Sequence, residues 1–204
     1  ALFALLEWEN PATIGTFTPG GKLLAALFQS VTLRTAGFAS FNQDALTEAS
    51  KVLSDLLMFV GGSTGSTAGG VKTVTMGIVL LSAISTIRGK RRVVVFRRAI
   101  SQQDVSSAVA IALLVLNLSL LGAAVITMCD HCSFMNAIFE TISALCTVGL
   151  TTGITSSLCL VSKLILIVFM FFGRVGIMTI GIGFMMGDRA QDRITYAETK
   201  VMIG

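Results

Sequence analysis

Hydrophobic residues along this chain fall into long runs separated by short polar segments. Residues 105–128 carry no charge across 24 positions, and residues 159–186 carry only Lys163 and Arg174. A helix needs about 20 mostly apolar residues to cross a bilayer, so each run predicts a spanning helix. The region 46–87 is also long enough to span, but a glycine-rich segment interrupts it and predicts two helical pieces joined by a loop.

Two further apolar stretches, 22–33 and 134–145, are too short to cross and predict re-entrant segments that enter the bilayer and turn back. Each is followed by a Thr-x-Gly-apolar tetrapeptide, at 35–38 and 147–150, and the two tetrapeptides are 112 positions apart. The residues that recur at this offset include Ala25, Leu33 and Thr35, matched by Ala137, Leu145 and Thr147. The pattern indicates a diverged internal repeat of helix, re-entrant helix, loop and helix.

The composition agrees with a membrane protein. Hydrophobic residues make up 53% of the 204 residues and charged residues 13%, whereas soluble domains carry about 25% charged residues. The chain therefore has too little polar surface for a water-soluble globule, and its first expected partner is the lipid bilayer. This composition also excludes intrinsic disorder, and a net charge of only +4, with the basic residues clustered beside spanning segments, excludes nucleic-acid binding.

Positive charge predicts the orientation. Six of the 15 basic residues lie within 88–98, between the broken span and the next one, and such loops are usually cytoplasmic. We therefore expect a multi-pass protein of the plasma membrane, with both re-entrant loops open to the outer face and the C-terminus inside. The repeat divides the chain into units 1–98 and 99–204, and residues 1–6 read as the end of a span that begins earlier in a longer protein.

The two Thr-x-Gly tetrapeptides are candidate cation-binding loops. A cation that crosses a bilayer needs oxygen ligands in place of its water shell, and backbone carbonyls supply them without fixed charge. Glycine permits the required backbone angles, threonine adds a hydroxyl, and the preceding helix directs the negative end of its dipole at the ion. The alternative is an ordinary left-handed helix cap at each glycine. The candidate ligands are Thr35, Ala36, Gly37 and Phe38 in one loop and Thr147, Val148, Gly149 and Leu150 in the other.

The glycine-rich segment inside the broken span is a candidate gate. A nucleotide-binding loop is excluded, because Val71 separates Gly70 from Lys72 and no buried strand precedes the segment. Non-helical backbone at membrane depth is tolerated where it lines a cavity, although a simple linker outside the membrane remains an alternative. The residues of this glycine loop, 61–70, are Gly61, Gly62, Ser63, Thr64, Gly65, Ser66, Thr67, Ala68, Gly69 and Gly70.

Arg174 is the second candidate gating element, because a charge near the middle of a span is a functional candidate by default. In a cation pathway it would act as an electrostatic barrier. The alternative is a structural ion pair with Glu140 or Asp55. The glycines in the second half of this span, from Gly173 to Gly187, are explained by close helix packing rather than by a hinge.

Nothing in the sequence indicates an enzyme or a bound cofactor. Cys129 and Cys132 have metal-like spacing, but no second pair follows them, so two thiols in a loop at the outer rim are the better interpretation. The single histidine, His131, has no nucleophile placed near it by a recognisable pattern.

The stretches SVTLRTAGF (30–38), FVGGSTGSTAGGVKT (59–73), ETISALCTVGLTTG (140–153) and FFGRVG (171–176) resemble the Trk/Ktr/HKT superfamily of potassium transporters, most closely bacterial Ktr-type pore-forming subunits. The resemblance implies four helix–pore-helix–helix repeats of the potassium-channel-like type, with Gly37 and Gly149 as the third and fourth filter glycines. It further implies that 61–70 is the intramembrane gating loop and that Arg174 points into the pore. A homodimer on a cytosolic ring of nucleotide-binding regulatory subunits is also implied.

The sequence therefore predicts the pore-forming subunit of a potassium uptake system, with no cofactor in this chain; whether sodium is a coupling ion stays open. One alternative is a secondary transporter of a small organic solute that binds at the broken helix 61–70. Another is a membrane scaffold that transports nothing, although a scaffold has no use for a polar glycine loop inside a span.

Overall fold

The protein is described by a computed structural model that covers residues 2–63, 69–89, 93–95 and 98–175. Within these residues the chain forms seven α-helices and one minimal antiparallel hairpin. The helices are α1 (Leu2–Glu7), α2 (Pro19–Thr32), α3 (Glu48–Phe59), α4 (Thr73–Ile87), α5 (Gln102–Asp130), α6 (Phe134–Leu145) and α7 (Leu160–Val175). The hairpin pairs β1 (Val94–Val95) with β2 (Arg98–Ala99), and short 3₁₀ turns lie at Gln43–Ala45 and Ile154–Ser156.

The predicted all-α class is confirmed, and most predicted elements recur with shifted ends. The stretch 134–145 coincides with α6, α2 begins three residues before the predicted 22–33, and α5 extends the predicted 105–128 at both ends. These shifts arise because capping hydrogen bonds set the helix ends, and the apolar pattern does not indicate them. The Thr18 hydroxyl accepts a hydrogen bond from the Gly21 amide ahead of Pro19, and the Ser101 hydroxyl accepts one from the Asp104 amide.

The hairpin is a feature that the sequence reading did not include. It lies in the basic segment 88–98, where Val94 pairs with Ala99 and Val95 pairs with Arg98. Lys90, Arg91, Arg92 and Arg97 of this segment are outside the described residues.

Helix α6 forms the centre of the fold. It packs against α3, α5 and α7, and eight of its twelve residues are buried. The core around it contains fully buried Leu33, Met58, Val115, Ile126 and Phe139. A short helix that buries this much surface is held by its neighbours, which explains how twelve residues form a stable helix.

Other helices present apolar side chains outward. No described residue of α4 is buried, and α2 exposes Leu23, Leu24, Leu27 and Val31. Surfaces of this kind contact lipid or other protein segments. Among the described residues, α5 is the one helix whose length and composition allow it to cross a bilayer, and α4 and α6 are apolar but shorter. The predicted span 159–186 is described as helix only to Val175.

Gly122 marks a close approach of α5 to α6 and α7, and it carries a stability prediction. A Cβ at Gly122 would lie 2.8 Å from Cζ of Phe169 and 3.2 Å from Cγ2 of Thr141. We expect Gly122→Val to destabilise the complete protein by about 1–3 kcal/mol, because the larger side chain overpacks this contact. The measurement is the thermal unfolding midpoint in detergent.

The matched control is Gly77→Val in α4, where a Cβ would meet no atom within 4 Å. Its unfolding midpoint should stay close to that of the wild-type protein. Equal midpoints for the two variants would contradict the close packing inferred at Gly122.

Candidate functional site

The loop 147–150 leaves the end of α6 in an unusual backbone conformation. The amide of Cys146 still bonds the Ile142 carbonyl at 2.8 Å, and the amide of Val148 bonds the Ser143 carbonyl at 2.9 Å. Thr147 and Gly149 then adopt left-handed conformations, with φ of 56° and 91°. Left-handed backbone costs a residue with a Cβ about 1–2 kcal/mol, so the surrounding structure must hold Thr147 in place.

The loop 35–38 repeats this conformation after α2. Thr35 has φ of 66° and Gly37 has φ of 76°, so the first and third positions are left-handed in both loops. An ordinary helix cap needs one left-handed residue, usually glycine. Thr147 is itself the left-handed residue of a helix cap, because its amide bonds the Ala144 carbonyl at 3.2 Å and the next amide bonds the Ser143 carbonyl. The second left-handed residue of each loop, Gly37 or Gly149, lies beyond the end of the helix.

A hydroxyl from the last turn of each short helix fixes the end of its loop. The Thr32 hydroxyl donates to the Phe38 carbonyl at 2.7 Å and accepts from the Phe38 amide at 2.8 Å. The Ser143 hydroxyl donates to the Leu150 carbonyl at 2.6 Å. The two loops are therefore braced in the same way, although the residues that brace them differ.

The two loops lie directly against each other. A Cβ at Gly37 would clash with the carbonyl oxygen of Val148 and lie 3.5 Å from Cα of Gly149. Val148 and Leu150 are buried, whereas Phe38 is 70% exposed and Gly149 is also exposed. The tertiary structure thus brings together the two tetrapeptides that the repeat predicted, with glycine at the point of contact.

The glycine loop 61–70 leaves α3 and returns to the same place before α4. Val60 and Val71 form a parallel bridge, the Gly61 amide donates to the Val71 carbonyl at 2.9 Å, and the Thr73 amide donates to the Gly62 carbonyl at 3.2 Å. Gate candidates Thr64, Gly65, Ser66, Thr67 and Ala68 lie outside the described residues. The described ends of the loop, 61–63 and 69–70, are therefore held side by side.

The return end of the glycine loop contacts the base of the loop 147–150. The Gly69 amide donates to Oγ1 of Thr147 at 2.9 Å, and a Cβ at Gly69 would lie 2.9 Å from the Cys146 carbonyl oxygen. On the α7 side, a Cβ at Gly173 would lie 3.0 Å from Cγ2 of Thr147. Thr147 is therefore held between the glycine loop and α7.

Arg174 follows Gly173 in the last described turn of α7, and its side chain is exposed. Of the two acidic residues considered as its partners, Glu140 accepts hydrogen bonds from threonines. Asp55 is buried in α3, and its Oδ1 accepts no hydrogen bond within the described part of the chain. The close-packing interpretation fits Gly173, while Gly176, Gly181, Gly183 and Gly187 lie outside the described residues.

The cysteines form no disulfide in the structure. Cys129, Cys132, Cys146 and Cys159 are all free, and His131 ends α5 in a left-handed conformation. The described residues contain no group of three metal-ligating side chains. Burial raises the pKa of the Cys132 thiol, which makes this cysteine less reactive than a free thiol in solution.

Sequence reasoning missed the braces Thr32 and Ser143 and the hydrogen bonds that Glu140 accepts from threonines. The available signal was position, because each of these residues lies on a short helix, within ten residues of the loop that follows it. Hydroxyls near a helix C-terminus are common, so their spacing alone did not indicate a partner.

Comparison with known proteins identifies the family of this chain. A family model described as "TrkH: Cation transport protein" matches residues 1–192. The chain is 40% identical over 200 residues to Ktr system potassium uptake protein B of Bacillus subtilis, covering 98% of this chain and 44% of that protein. It is 38% identical to the potassium/sodium uptake protein NtpJ of Enterococcus hirae, covering 100% of this chain and 46% of that protein.

The fold is also similar to that of a solved structure, the potassium transporter TrkH from Vibrio parahaemolyticus. The TM-score is 0.73 at 23% identity, over 89% of this chain and 40% of the other. The chain spans less than half the length of the curated relatives that it matches. The family match over residues 1–192 and the similar fold agree with the resemblance carried by the paired Thr-x-Gly loops, and the chain belongs to the TrkH family of cation transport proteins.

Proposed function

We propose that this chain supplies two filter loops of a potassium uptake pore, residues 35–38 and 147–150. The observation that carries the proposal is the direct contact of two loops that share left-handed residues at their first and third positions. The carbonyls of Phe38 and Leu150 are held by hydroxyls of α2 and α6, so the proposed ligands are the carbonyl oxygens of the first three residues of each loop, where the left-handed backbone lies. A ring of such oxygens replaces the water shell of a cation without adding fixed charge.

The ion is potassium in this proposal because two of the similar proteins are named for potassium uptake. Another is named for potassium and sodium uptake, so sodium enters as a possible second ion rather than as a bound cofactor. The chain is about half as long as these relatives, and a closed ring needs more than two loops. We infer that the remaining filter loops come from residues beyond this sequence.

The glycine loop 61–70 is proposed as the gate. Its return end donates a hydrogen bond to Thr147, the first residue of one filter loop, so a displacement of the glycine loop would reach the base of the filter directly. Arg174 lies one residue beyond Gly173, which also packs against Thr147. Its positive charge would raise the barrier to a cation that passes below the filter.

The proposed arrangement in the cell is a homodimer in the plasma membrane, with both filter loops at the outer face. The basic segment 88–98 and the C-terminus would face the cytoplasm. The family resemblance implies a cytosolic ring of nucleotide-binding regulatory subunits. The basic segment 88–98 offers a docking surface for that ring. The division into repeats 1–98 and 99–204 stays part of this proposal.

The test is cation uptake by the complete protein, reconstituted in liposomes or expressed in cells that lack their own potassium uptake. We expect saturable potassium uptake that amino acids and sugars do not inhibit. Saturable displacement by an organic solute, with no effect of potassium, would instead support the secondary transporter that binds at 61–70. A membrane scaffold would show no saturable flux of either kind.

A further inference from the structure

The carboxylate of Glu140 is buried behind the loop 147–150 and holds the segment that follows it. Glu140 lies in α6 and is 4% exposed. Its Oε1 accepts hydrogen bonds from the Thr151 hydroxyl at 2.6 Å, the Thr152 amide at 2.9 Å and the Thr152 hydroxyl at 3.1 Å. Its Oε2 accepts one from the Thr155 hydroxyl at 2.8 Å. One carboxylate therefore orders five residues that begin directly after Leu150.

This brace is continuous with the loop itself. Ser143 lies one helical turn after Glu140 on α6 and holds the Leu150 carbonyl at 2.6 Å. Residues three apart lie on the same face of a helix, so one face of α6 fixes both the last carbonyl of the loop and the two residues that follow. A change at Glu140 would thus be transmitted to the loop over a single peptide unit.

The other loop has an equivalent brace without charge. Gln29 of α2 donates from Nε2 to Oε1 of Gln43 at 2.6 Å, and Gln43 donates to the Phe41 carbonyl at 3.0 Å. Both glutamines are buried. A pair of amides is therefore sufficient to tie a short helix to the segment after its loop, and the brace alone does not require a carboxylate.

The charge at Glu140 needs a different explanation, because a buried carboxylate is costly. The four hydrogen bonds come from neutral donors, which stabilise the negative charge but do not cancel it. A cation in the adjacent loop would supply an opposite charge in surroundings of low dielectric constant, where such an attraction is strong.

We propose that Glu140 is a positioning and affinity-determining residue for the cation held by the loop 147–150: its hydrogen bonds shape the loop, and its negative charge stabilises the dehydrated ion. This inference rests on the proposed function. It assigns the two Thr-x-Gly loops unequal roles, since the brace of the loop 35–38 is neutral.

The test separates charge from shape in the complete protein. Glu140→Gln keeps the side-chain length and an acceptor oxygen but removes the charge, and it copies the amide found at Gln29. We expect the KM for potassium uptake to rise about tenfold, with the maximal rate per folded protein changed less than about twofold. Glu140→Asp keeps the charge but shortens the reach to the threonines, so its KM should stay near the wild-type value while its maximal rate falls.

Gln29→Leu is the matched control for the brace. It removes the neutral tie between α2 and Gln43, and we expect a lower maximal rate with an unchanged KM. An unchanged KM in folded Glu140→Gln would overturn the proposal. If that variant does not fold, Glu140→Asp decides: a KM within about twofold of wild type supports the role of the charge, and a tenfold rise overturns it.

These outcomes are distinguishable from failure of the proposed function. If the wild-type protein shows no saturable potassium uptake, the proposed function and this inference fall together. If the wild-type protein takes up potassium and the charge-neutral variant has the same KM, only the role of Glu140 is lost.

Discussion

Serine in place of Gly149 is expected to lower the maximal rate of potassium uptake at least tenfold and to reduce the preference for potassium over sodium. Gly149 has φ of 91°, and a residue with a Cβ resists this conformation by about 1–2 kcal/mol. A serine at position 149 would relieve this backbone strain by rotating the two peptide carbonyls that flank it. A loss of about 1.4 kcal/mol in ion coordination at the barrier corresponds to a tenfold slower rate.

Gly37→Ser should produce the same defect from the opposite loop. Its Cβ would clash with the Val148 carbonyl oxygen, so the substitution displaces a proposed ligand of the neighbouring loop. The measurement for both variants is potassium uptake with and without competing sodium, normalised to the amount of protein in the membrane.

Gly77→Ser is the control for the substitutions at Gly37 and Gly149, because a Cβ at Gly77 meets no atom within 4 Å. Its uptake should match that of the wild-type protein. If Gly37→Ser and Gly149→Ser leave both uptake and potassium preference unchanged, the two Thr-x-Gly loops are not the filter.

Removal of residues 64–68 is the second large expected effect: maximal potassium uptake should rise several-fold, with the potassium preference retained. The deletion leaves the residues of the Val60–Val71 bridge unchanged, and we expect that bridge to keep α3 and α4 side by side. It removes the central residues of the proposed gate and leaves both proposed filter loops unchanged in sequence. The measurement is initial uptake at saturating potassium.

A replacement of 64–68 by five alternating glycine and serine residues is the matched control for the deletion. This variant keeps the length of the loop. Its uptake should stay near the wild-type rate if the length of the proposed gate, rather than its side chains, restricts ion passage. Unchanged or lower uptake after the deletion, at normal abundance in the membrane, would contradict a gating role for 61–70.

The sequence was most informative where a local pattern has a local cause. A twelve-residue apolar stretch bounded by polar residues became α6 with the predicted ends, and the broken span became α3 and α4. The repeat at an offset of 112 matched Thr35 with Thr147 and Gly37 with Gly149, and the same four residues share left-handed backbone. Helix length and backbone freedom depend on neighbours in sequence, so they can be read from it.

The left-handed threonines show the limit of that reading. Glycine at the third position of each loop predicted backbone freedom, but threonine is disfavoured in this conformation. Thr147 is held there by the Gly69 amide and by α7 beside it. The capping hydrogen bonds at the end of α6 are local, but neither of these two neighbours is close in sequence, so the presence of threonine rather than glycine at this position could not be explained from the sequence.

The sequence by itself determined the membrane class, the helices, the internal repeat and the family. The tertiary structure alone decided that Gly37 lies against Val148, that Gly69 donates to Thr147 and that Glu140 braces the segment after Leu150. The first two contacts join residues separated by more than seventy positions, and the third depends on how the chain turns back after α6. Such contacts arise from the packing of whole helices, which no single stretch of sequence encodes.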